Sequence, residues 1–130
     1  MRIKKVTLSL LVILLTSCVD FSDNDYETTS FYVKNTSNKT ITFTAGVLKM
    51  SQITDPYVVT NTFTVNPNDS VLARNTNFKK NGTNPQSWFR SFEISPVSGV
   101  EMNDPKLPEN WKKYENNDTP IYVFTLNKTQ

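Results

Sequence analysis

Residues 40–48, TITFTAGVL, alternate without interruption: Ile41, Phe43, Ala45 and Val47 fall on one side, and Thr40, Thr42 and Thr44 on the other. A period of two is that of a strand with one face buried and one face wet. Residues 57–65, YVVTNTFTV, repeat the design, with Val59, Phe63 and Val65 inward and Thr60, Thr62 and Thr64 outward. Threonine suits the wet face because it is β-branched yet polar.

The same reading extends outward from these two segments. SFYVKNT, residues 30–36, places Phe31 and Val33 opposite Tyr32 and Lys34, and NTSNKT turns the chain. NPNDS, 66–70, is dense in turn residues and leads into a short strand, SVLARN. Residues 76–86, TNFKKNGTNPQ, read as a long polar loop, and SWFRSFEIS, 87–95, as an aromatic-rich strand ending at the turn PVSG. Residues 103–118 carry two prolines and many amides and allow at most a helical turn from Glu109 to Tyr114, begun by Pro108. TPIYVFTLN, 119–127, is the last strand.

Six or seven strands without a long helix predict an all-β fold, an antiparallel β-sandwich of Ig-like architecture. The paired-cysteine signature of immunoglobulin domains is absent, so "Ig-like" describes architecture alone. Only three glycines argue against a tightly coiled barrel.

The amino-terminal stretch has a different logic. MRIKK is basic, and VTLSLLVILL, residues 6–15, is apolar apart from Thr7 and Ser9. Basic start, apolar middle and small-residue exit are the order of a secretory signal. Ten helical residues reach about 15 Å, half of a bilayer's hydrocarbon core, which is too short for a permanent span. The run ends Leu15-Thr16-Ser17-Cys18, with the chain's single cysteine last. These residues resemble the lipobox of bacterial lipoproteins. That resemblance implies cleavage between Ser17 and Cys18 and acylation of Cys18, hence a lipid bilayer as the first partner. Two or three acyl chains hold firmly where one holds marginally.

The predicted organisation is therefore a signal peptide over 1–17, an acidic tether over 18–29 and a sandwich domain over 30–130. Asp20, Asp23, Asp25 and Glu27 make the tether acidic and too polar to pack. Early acidic residues of this kind resemble a surface-display signal in Bacteroidetes lipoproteins, which implies an outer-membrane location with either leaflet open. The mature pattern as a whole is similar to the small β-sandwich lipoproteins of that group.

Composition then narrows the function classes. Residues 30–130 hold eleven Lys and Arg against eight Asp and Glu, too weak and scattered a surplus for a nucleic-acid footprint. The chain has no histidine, which removes the commonest general base and imidazole metal ligands, and its one cysteine is assigned to lipid. No Gly-rich phosphate loop occurs. Of the carboxylates, Glu93 alone lies within a predicted strand, where a surface pair with Arg90 is the simpler reading than an acid catalyst. Asp104 and Asp118 could supply oxygen to calcium, but without EF-hand spacing. We expect no enzyme, no metal and no cofactor.

What remains is binding. Trp111 and Tyr114 lie three apart, one face of a helical turn, with Glu109, Asn110, Asn116 and Asn117 nearby, and Trp88 lies on the predicted aromatic strand. Flat aromatics beside amides and carboxylates suit a glycan, or a peptide. The competing reading is that Trp111 plugs one open end of the sandwich. A second expectation is a structural or accessory subunit of an envelope assembly, bound to another envelope protein through sheet edges or faces. Asp69-Ser70-Val71 resembles the O-glycosylation motif of Bacteroidetes exported proteins, which implies modification at Ser70.

Overall fold

The computed structural model describes residues 29–76, 87–117 and 119–129. Seven strands follow in order: β1 (Thr29–Lys34), β2 (Ile41–Lys49), β3 (Tyr57–Val65), β4 (Ser70–Thr76), β5 (Ser91–Ile94), β6 (Trp111–Asn116) and β7 (Thr119–Thr125). They form two sheets, one ordered β4-β1-β7-β6 and the other β3-β2-β5. The alternation in β1, β2 and β7 becomes burial: Phe31, Val33, Ile41, Phe43, Ala45, Val47, Tyr122 and Phe124 all turn inward between the sheets. The fold is the expected β-sandwich.

Four of the five pairings are antiparallel; β1 and β7 run parallel, with Phe31 beside Tyr122 and Val33 beside Phe124. Parallel neighbours need a long connection. Here the first and last strands pair, so the whole intervening chain serves as that connection. In β4 the register slips by one residue opposite Phe31 and Tyr32. The bulge sets the Arg74 guanidinium 6.0 Å from the Phe31 ring centroid. Burial there pushes the Arg74 pKa below its ordinary value.

Aromatic side chains dominate the core. Phe43 stacks between Phe63 and Phe92 of the flanking strands, each at 4.9 Å with the planes within 14°. The first of these is a directly opposed cross-strand pair. Phe31 lies 5.3 Å from Tyr122 in a second stack that joins β1 to β7.

Two segments depart from the sequence expectation. The aromatic strand predicted over 87–95 is extended only from Ser91 to Ile94. Trp88 and Phe89 are both buried although adjacent, which a half-wet strand cannot arrange, so the chain turns there before β5 begins. The helical turn predicted from Glu109 to Tyr114 is a 3-10 turn confined to Pro108–Asn110, and the chain enters β6 at Trp111. Of the predicted loop 76–86, Thr76 is the last residue of β4 and the rest lies outside the described residues.

The end of the sandwich bearing the β1–β2 turn is closed by asparagine amides. Asn35 is fully buried, and its Nδ2 donates to the carbonyls of Lys39, Val65 and Asn66 at 2.7, 3.0 and 3.3 Å. Its Oδ1 accepts from the Ser37 N–H and hydroxyl. Asn127 Oδ1 accepts from the Thr36 N–H and hydroxyl, tying the carboxy-terminal segment to the same turn. The opposite end is where β1 starts and where the β2–β3 hairpin turns: Thr29 pairs with Thr76, and Lys49 with Tyr57.

Candidate binding cleft

β5 and β6 are the terminal strands of their sheets on the same flank of the sandwich. Between them the chain takes a long excursion, and its return is fixed by local polar contacts. Asp104 Oδ1 accepts from the Lys106 N–H at 2.9 Å, and its carbonyl accepts from Asn110 Nδ2 at 2.9 Å. Trp111, first residue of β6, donates its indole N–H to the Pro105 carbonyl at 2.8 Å. The excursion is thus pinned against the indole. Opposite it stand Phe89, whose ring lies 5.6 Å from Trp111, and Phe92, 5.9 Å away and perpendicular.

A cleft of about 270 Å³ opens between these groups, lined by Phe89, Arg90, Ser91, Phe92, Pro105, Lys106 and Trp111. Its walls are aromatic, and its charged groups are two cations, Arg90 and Lys106; among the described residues no carboxylate lines it. An anion beside apolar surface is what such a cleft can hold. Arg90 offers a planar donor fork that suits a carboxylate.

The structure distributes the sequence candidates unevenly. Trp111 and Trp88 are buried, 6 % and 3 % exposed, within the core cluster. Trp88 packs 4.3 Å from Tyr122 and 5.2 Å from Phe31. Tyr114 is 54 % exposed. Three residues apart in a strand means opposite faces, so Tyr114 points away from the side that carries Trp111. The three do not share a surface; Trp111 alone reaches the cleft. Asn110 is committed to Asp104, and Glu109 stands exposed on the 3-10 turn.

Ser70 is exposed at the start of β4, with its N–H on Asp69 Oδ1 at 2.8 Å. Glu93 is exposed on β5 opposite Thr44. Among the described residues no three carboxylates or cysteines gather to hold a metal. Asp118, Ser17 and Cys18 lie outside the described residues. The cleft residues that sequence reasoning missed are Arg90, read as a partner for Glu93, and Lys106, read as loop. Lys106 sits between Pro105 and Leu107 ahead of Pro108, and nothing in that spacing says which strand it will face.

The fold and the cleft define a small two-sheet sandwich with a cationic, aromatic-walled recess on its flank. Comparison of the chain with protein-family models, with curated proteins and with solved structures gives no match.

Proposed function

We propose that the protein is a lipid-anchored cell-envelope module that binds an extended acidic peptide in the β5–β6 cleft and does not transform it. The cleft itself carries the reading: among the described residues it is lined by two cations and no acid, beside β5, which ends its sheet. Strand edges bind extended peptides through the backbone, and flanking pockets select side chains. A glycan is less well served. Sugars stack on open aromatic faces, and the rings here turn theirs toward one another. Anchoring through Cys18 rests on the lipobox resemblance.

The test is titration of the purified protein with acidic peptides, neutral peptides and acidic oligosaccharides, read by calorimetry. Binding of acidic peptides that is lost in the Arg90→Glu, Lys106→Glu double variant supports the proposal. Binding of oligosaccharides alone, or binding indifferent to both substitutions, overturns it.

A second reading, an accessory subunit in an envelope assembly, is favoured by β3. This terminal strand is nine residues long, YVVTNTFTV, with no charge and no proline. Two of the other sheet edges carry cations: β4 has Arg74, and β6 has Lys112 and Lys113. Proteins that must stay apart usually protect long edges with charge or proline. Modification at Ser70 is compatible with either reading, because the hydroxyl-bearing residue is exposed.

A further inference from the structure

We infer that the tip of the β2–β3 hairpin is a membrane-contacting surface, inserting Met50 and Ile53 into the lipid to which the chain is anchored. The inference rests on the Cys18 anchoring proposed above.

The tip is apolar and held outward. Ile53 is 95 % exposed and Met50 78 %, and Leu48, Tyr57 and Val58 behind them are about half exposed. Ile53 is presented by a turn with its own hydrogen bonds: Ser51 Oγ accepts from the N–H of Ile53 at 3.2 Å and of Thr54 at 3.1 Å. The residues from Leu48 to Val58 carry one cation, Lys49, and one anion, Asp55, so the tip has no net charge.

Its position selects the occupant. The described chain begins at Thr29, the start of β1, and β1 runs from there toward the Asn35 turn. β2 runs back the other way in the opposite sheet and ends at Lys49. The hairpin tip and the point where the tether joins the domain are therefore at the same end of the sandwich. Cys18 precedes Thr29 by only eleven residues, which cannot span more than about 40 Å. An acylated Cys18 holds this end toward the bilayer, and the most exposed large apolar side chains among the described residues, Ile53 and Met50, lie at this end. Large exposed apolar side chains beside a lipid anchor act as a second interfacial contact, which fixes orientation as well as adding affinity.

The native lipoprotein supplies its own test. With Cys18 acylated, an Ile53→Cys variant has one free thiol, and so does a control, Asn38→Cys, in the exposed turn at the far end. Each is labelled with an environment-sensitive fluorophore. Each is then reconstituted into phosphatidylethanolamine–phosphatidylglycerol vesicles containing a doxyl lipid as quencher. The expected result is blue-shifted emission and loss of fluorescence to the doxyl lipid at position 53, and neither at position 38. A Met50→Cys variant should behave as position 53 does. Protein that floats with the vesicles while position 53 stays water-like overturns the inference and leaves the anchoring intact. A blue shift blind to the doxyl lipid, as when a protein surface covers the tip, also overturns it. Two labels per chain and failure to float overturn the anchoring itself, and the inference with it.

Discussion

The side-chain amide of Asn35 donates to the backbone carbonyl of Val65 across 3.0 Å, and so joins the end of β1 to the end of β3 in the opposite sheet. The residue is fully buried, and each polar atom of its side chain is used. A buried acceptor left without its donor carries its full desolvation penalty. Asn35→Ala should therefore cost about 2–4 kcal/mol, read as a lower urea midpoint with an unchanged slope.

Asn35→Asp tests the same site through pH. The new oxygen would face the three carbonyls that the amide now satisfies, so the carboxyl pKa rises in the folded state. A raised carboxyl pKa means that the folded protein binds the proton more tightly than the unfolded one. The penalty is then smallest below the unfolded pKa of about 4, and grows as pH rises through and above it. Urea denaturation of this variant at pH 4 and pH 7, each against the parent protein, should show the larger deficit at pH 7. An equal deficit at both would mean that the three carbonyls do not face the new group.

Trp111 and Tyr114 should separate cleanly. Trp111→Ala opens a cavity among five aromatic neighbours and should cost about 3–5 kcal/mol. Trp111→Phe keeps much of the packing but strands the Pro105 carbonyl, and should fall between that value and zero, about 1–3 kcal/mol. Tyr114→Ala, at an exposed position, should stay within about 0.5 kcal/mol. Thermal or urea denaturation of the three variants checks the order.

That contrast marks where the sequence stops being legible. β2 could be read directly because it is central, buried on one face and wet on the other, so its alternation survives intact. β6 could not. It is an edge strand in which Trp111 is buried and the next five residues are exposed, so no period of two is written in WKKYEN. Pro108 and the three-residue spacing of Trp111 and Tyr114 then imitated a helical turn. Trp88 and Phe89 misled in the opposite sense: two adjacent aromatics suggested a strand, whereas both are buried because the chain turns there. The cleft was less legible still. Arg90 and Lys106 are sixteen residues apart, and it is tertiary contact, including the Trp111 indole on Pro105, that brings their segments to one recess.

Within the cleft, charge should dominate affinity for acidic peptides. A charge-assisted hydrogen bond contributes about 1.5–3 kcal/mol, so removing Arg90 or Lys106 singly should weaken binding by roughly tenfold or more. Both are partly open to solvent, so binding should also weaken as salt is raised. Titrations of Arg90→Gln and Lys106→Gln at low and high ionic strength measure both effects. A peptide whose affinity ignores salt and both substitutions is not held by this cleft.

The edge of β3 makes the last prediction. Its outer face carries Thr60, Thr62 and Thr64, and Thr64 meets Thr42 of β2 at 3.4 Å between hydroxyls. Among the described residues β3 ends its sheet, with no further strand paired beyond it. A partner strand added there would continue the β3-β2-β5 sheet and bury a nine-residue edge. Lysine is the device with which sheets refuse such pairing, because its charge must be desolvated when a neighbour arrives. Thr62→Lys puts that charge at the middle of the edge on an exposed position, where stability should change by less than about 0.5 kcal/mol. If β3 is an assembly surface, the variant should lose self-association in sedimentation, or lose a partner that co-purifies from envelope membranes, while its urea midpoint stays put. Lys112→Ser on the β6 edge serves as the reverse control and should leave assembly unchanged. Identical sedimentation and identical co-purification for parent and Thr62→Lys would remove β3 from any assembly role.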